Sequence, residues 1–146
     1  MATTKRKKLV WYTAAALGAV VAWNAIALQA EVVVLRHMIH DHKVVYVIQG
    51  ARPGTMWALG DTGCAVATRA ETVVGSAPYL GPNFFTRDGR HITFIELDGV
   101  HPAGWLRFAV ETGWQSGGLW GEWDEHTVLW DLRGWHYGGK AVTASS

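Results

Sequence analysis

The most constraining stretch is LVWYTAAALGAVVAWNAIALQA, Leu9 to Ala30, which holds no charged residue and directly follows Lys5-Arg6-Lys7-Lys8. A helix over it is about 33 Å long at 1.5 Å per residue, close to the roughly 30 Å hydrocarbon core of a bilayer. Trp11 and Tyr12 stand at the basic end and Trp23 near the other, where amphipathic rings favour the headgroup level. The four cations hold that basic end in the cytoplasm by the positive-inside bias, so everything beyond the span is expected outside. The rest of the chain must therefore fold as an exported domain.

A secretory signal fits the same features, with Ala25-Ile26-Ala27 as a small-x-small cleavage site. The apolar run passes that site without a break, which favours a retained single-pass anchor. Cleavage would instead release a secreted domain. Either way the destination is extracytoplasmic, periplasmic in a two-membrane cell. The expected division is a basic cytoplasmic tail over 1–8, the anchor over 9–30 and a helical stalk over 31–42. A β-rich domain over 43–140 and a flexible tail over 141–146 complete it.

With 146 residues in all, the exported part is one small domain. Removing the four tail cations leaves nine of thirteen against twelve acids, so no nucleic-acid partner is expected there. Cys64 is the sole cysteine and cannot form an internal disulfide; its plain reading is a small apolar residue. Seventeen glycines and turn signals between short β-branched runs predict a mainly antiparallel β domain, a small barrel or sandwich. Strands are expected over 43–49, 55–59, 84–97 on either side of an Arg87-Asp88-Gly89-Arg90 turn, 105–111 and 127–132. Residues 75–83 and 115–121 read as loops, and 64–74 suits strand or helix equally. The fold class is thus one N-terminal transmembrane helix carrying a β-rich α+β domain.

Nine tryptophans exceed what a core of this size needs, and six fall between Trp105 and Trp135. Trp114, Trp120 and Trp123, set among glycines, together with Trp135 and Tyr137, form the expected interaction surface. Indoles suit either a protein interface or a sugar face. Trp105 and Trp130 lie in apolar runs and read as core.

Three constellations offer chemistry. His37, His40 and Asp41 share one face if the helix continues, a possible zinc or copper set, although a solvated stalk accounts for them more simply. Asp61-Thr62-Gly63 resembles the active-site triplet of aspartic proteases, which in so short a chain implies a homodimer with Asp61 catalytic. Gly60 and Cys64 depart from that family's flanking pattern. Glu122, Asp124, Glu125 and His126, with Trp120 and Trp123 beside them, offer paired carboxylates of the kind that cleave glycans, but in one solvated turn they lack opposed geometry. No serine triad, phosphate loop, CxxC pair or HExxH helix is present, and no cofactor is expected. The leading expectation is a non-catalytic membrane protein, an accessory subunit of a larger envelope complex of secretion, conjugation or respiratory type. An exported glycan or peptidoglycan binder is the alternative, and the Asp61 protease the second.

Overall fold

A computed structural model describes residues 2–68, 74–77, 81–86, 88–116 and 121–145. One long helix, α1 (Ala2–Met38), leads into β1 (Val44–Gln49), α2 (Thr55–Leu59), β2 (Ala65–Ala67), β3 (Val74–Ala77) and β4 (Gly81–Phe84). Four longer strands follow: β5 (His91–Gly104), β6 (Arg107–Ser116), β7 (Gly121–Asp131) and β8 (Gly134–Ser145). Six strands form one sheet in the order β2-β1-β5-β6-β7-β8, and β3 and β4 pair separately. The strands β5 to β8 are an antiparallel meander, while β1 runs parallel to both β2 and β5.

No proline interrupts α1, and its alanines and leucines lose little rotamer freedom in a helix. Its two halves meet different surroundings. From Lys5 to Ala22 every side chain is exposed, and most of them are apolar. From Trp23 onward one face is covered: Ala27, Ala30, Val34 and Leu35 are fully buried against the sheet, with Val32 and Ile39 nearly so. The opposing surface is Tyr46, Ile48, Ile95, Leu97, Val100, Phe108, Val110 and Val128. Over the described residues, α1 is the one helix long and apolar enough to cross a membrane, a statement of length and composition alone.

The segment read as a stalk, 31–42, therefore differs from expectation. It continues the helix to Met38, but Glu31 to Leu35 is core of the domain because the sheet needs a second layer and α1 supplies it. The same fact replaces the expected barrel or sandwich with a sheet packed on a helix. A buried ion pair fastens the second layer. Glu31 Oε1 lies 3.1 Å from Arg52 Nε, and its Oε2 accepts from Thr55 Oγ1 at 2.6 Å and from the Arg52 amide at 3.1 Å. Arg36 donates to the carbonyls of Ala58 and Leu59 at 3.4 and 3.3 Å, holding the far end of α2.

Residues 55–59, expected as strand, are this short helix α2, since Thr55 and Leu59 are four apart and both point at α1. Residues 74–77 and 81–84 are strands where two prolines and two glycines predict a loop. Thr86 and Arg90 are hydrogen-bonded across the expected turn, of which Arg87 lies outside the described residues; among the described residues its two arms meet in one bridge, Phe85 with His91, and β5 then lies between β1 and β6. Asp98-Gly99 does not reverse the chain. It is a bulge inside β5, with the register shifting between Leu97 and Gly99. At the other end, β8 stays paired with β7 as far as Ser145, through the expected flexible tail.

Candidate functional site

Where α1 ends above β6, β7 and β8, it leaves a cleft of about 310 Å³ lined by His37, His40, Tyr46, Trp114, Asp124 and Lys140. That is roughly ten waters' worth of space at about 30 Å³ each. Asp124 and His126 are two apart on β7 and so point to the same face, the helix side; Glu125 points to the other. His126 is 2% exposed. Its Nε2 lies 2.9 Å from Thr112 Oγ1 and its Nδ1 2.9 Å from the Tyr137 hydroxyl. The Tyr137 ring stacks on His37 with centroids 3.7 Å apart and planes 12° from parallel. A polar chain thus runs from β6 through β7 and β8 to the last turn of α1.

Electrostatics fix the protonation of this chain. Burial pushes His126 down to about 4, against a smaller opposing pull from Asp124. Its imidazole is neutral at pH 7, with one nitrogen donating and the other accepting. Burial likewise raises the Tyr137 phenol, which keeps its proton. Lys140 is held charged by its hydrogen bond to Asp124 Oδ2 at 2.9 Å. Asp124 Oδ1 is buried with no hydrogen-bond partner among the described residues. With both nitrogens engaged, His126 has no free lone pair to offer a substrate. The cleft presents an indole, an ammonium and two further imidazoles beside apolar Met38 and Ile95.

The residues singled out from sequence fall in several places. Trp114 is half-buried and lines the cleft. Tyr137 belongs to the polar chain behind it. Trp123 lies on the opposite face, its ring 3.1 Å from where a Cβ on Gly113 would stand, so it covers the neighbouring strand. Trp135 packs on Phe108 at the other end of the sheet, with centroids 5.4 Å apart, and Trp23 packs on the same phenyl at 6.3 Å. Trp120 lies outside the described residues. Trp11 and Tyr12 are exposed on the bare half of α1. Two core assignments are reversed by the fold. Trp105 is 92% exposed because it sits in the turn between β5 and β6, and Trp130 is 46% exposed although it pairs with Trp135 near the end of β7.

His37, His40 and Asp41 are not brought together. The helix stops at Met38, which takes the last two off the shared face; His40 Nδ1 turns to the Met38 carbonyl at 2.9 Å and Asp41 Oδ1 accepts from the Lys43 amide at 2.8 Å. Among the described residues the one grouping with metal-ligand types is His101, Glu111 and Glu125, on three adjacent strands of the outer face. Its imidazole sits between the carboxylates, Nδ1 3.7 Å from Glu111 and Nε2 3.6 Å from Glu125. Each acid faces a different ring nitrogen, the arrangement of a bridging ion pair. Asp61 spends a carboxylate oxygen on the Gly63 amide at 2.8 Å, a local turn bond. Cys64 Sγ lies 3.6 Å from His42 Nδ1, which also meets the Gly63 carbonyl at 2.9 Å.

Sequence reading located Asp124 and His126 but put them in a solvated turn. The alternation Asp124, His126, Val128 was the signal that they belong to a strand and face inward. Thr112 and Lys140 carried no comparable signal, since only cross-strand register joins them to the site. No family model, curated protein or solved structure matches this chain.

Proposed function

We propose that this chain is a non-catalytic, single-pass membrane protein whose β-rich domain stands on the extracytoplasmic side and serves as an accessory subunit of a larger envelope complex. The observation that supports this is the division of α1. Its second half is core, whereas its first half presents Leu9, Val10, Trp11, Tyr12, Leu17, Val20 and Val21 with nothing over them. Such a continuous apolar surface exceeds what a free protein leaves to water, and lipid is the cover its composition fits. The cations at 5–8 set the tail in the cytoplasm, leaving the sheet outside. Trp57 at 89% exposure adds a large uncovered ring on α2, of the type that anchors protein contacts.

Membranes washed in carbonate should retain the full chain, and protease added from outside should degrade only the part beyond Trp23. Purified from native membranes in mild detergent, it should migrate with other subunits. A lone monomer there would overturn the accessory-subunit reading while leaving the anchor intact.

The cleft supports a second reading, a tethered binder of glycan or peptidoglycan fragments, because Trp114 shares it with Lys140 and Asp124. Its test is tryptophan emission during titration with cell-wall fragments. A Trp114→Phe chain should lose the response, and a wild-type chain silent at millimolar ligand would dismiss it.

A further inference from the structure

We infer that the two hairpin tips at one end of the sheet, carrying Trp105 and Leu132, are a lipid-contacting base that sits in the headgroup layer beside the anchor; this rests on the single-pass reading above. Three observations meet there.

The first is placement. Trp23 touches Phe108 near the start of β6, and His37 shares the cleft with Trp114 near its end. Fourteen helical residues cover about 21 Å and six strand residues about 20 Å, so helix and strand run nearly alongside. The β5–β6 tip at Trp105 and the β7–β8 tip at Leu132 lie beyond Phe108, on the side facing the bare half of α1. Both emerge level with each other, because Leu129 pairs with Arg107 and the Trp130 amide donates to the Leu106 carbonyl at 2.9 Å.

The second is chemistry. Trp105 and Leu132 are fully or almost fully exposed, and Trp130 is half so. Leu106 holds φ at 52°, a left-handed conformation unfavourable for a leucine, in the turn that carries Trp105 outward. Arg107 and Arg133 flank the tips and are exposed, placed for lipid phosphates, as long cationic side chains at an interface are. Trp and Leu edged by Arg is the composition of a membrane interface.

The third is length. The part of α1 that is uncharged and uncovered, Leu9 to Ala22, spans only about 21 Å of a roughly 30 Å core. The shortfall of about 9 Å matches the 5–10 Å to which interfacial apolar surfaces sink. A domain seated on its tips closes that gap; one held clear of the lipid leaves it open.

The test places a polarity-sensitive fluorophore on Leu132→Cys, or on Lys43→Cys at the opposite end of the domain, in the full chain with Cys64→Ser. Each is reconstituted into phosphatidylcholine and phosphatidylglycerol vesicles with plain or brominated acyl chains. Emission from position 132 should shift to the blue and lose intensity with brominated lipid, while position 43 does neither. A label at 132 that reads as aqueous in carbonate-washed vesicles overturns the seated base, gives the tips to a protein partner, and leaves the anchor standing. A chain extracted by carbonate overturns the anchor and this inference with it.

Discussion

Leu17 and Leu35 lie on the same helix, five turns apart, and are 62% and 0% exposed. Both halves of α1 are apolar, but only the second meets a protein surface that complements it. The difference comes from the strands. Only from Phe108 onward does β6 offer side chains to cover a helix, and below that level α1 is left bare. Apolar composition therefore specifies that a segment leaves water, while the strands decide which solvent receives it.

That contrast can be broken by substitution. Leu35→Ala should cost the domain 2–5 kcal/mol, about what a buried leucine loses with the cavity left behind, read as a lower urea midpoint in detergent micelles. A cost under about 1 kcal/mol would mean the second half is not core. Arg52→Ala should destabilise by roughly 3 kcal/mol, since it strips the cation from the buried Glu31 carboxylate. Glu31→Gln in the same background should restore part of the loss.

The polar end of the packed half sharpens the comparison through pH. The folded His126 sits at about 4, below the ordinary value near 6.5, so the unfolded chain binds the proton first. Stability is full above pH 6.5 and falls as pH drops toward 4, by about 3 kcal/mol, with a slope no steeper than roughly 1.4 kcal/mol per unit. A His126→Gln chain should show a flatter profile in denaturant melts across that window. The smallest effect belongs to Leu17→Ala, which should move the domain's unfolding midpoint by no more than about 0.5 kcal/mol. A larger shift would place Leu17 against the protein.

Much of this was legible in the chain. The absence of charge from Leu9 to Ala30 indicated a helix, and β-branched runs indicated β1, the first half of β5 and the last part of β7. What failed was decided by distance in sequence. Nothing local to Glu31 announces Arg52 and Thr55, so its burial was invisible and the segment read as a stalk. TMWAL has strand composition, yet it lies where Glu31 and Arg36 fasten both ends of a helical turn. From sequence, Trp114 of the cleft reads as surface, and Asp124 and His126 as one cluster apart from it. Their meeting with Lys140 depends on register across β6, β7 and β8, which no short motif encodes.

The absence of proline from Ala2 to Met38 also carries a mechanical consequence. About 55 Å of unbroken helix is a stiff shaft, with no joint between its basic foot and the imidazole of His37 lying on Tyr137. A twist or piston stroke applied at the foot would load the packed half, from Ala27 to Leu35, before it reached that stacked pair.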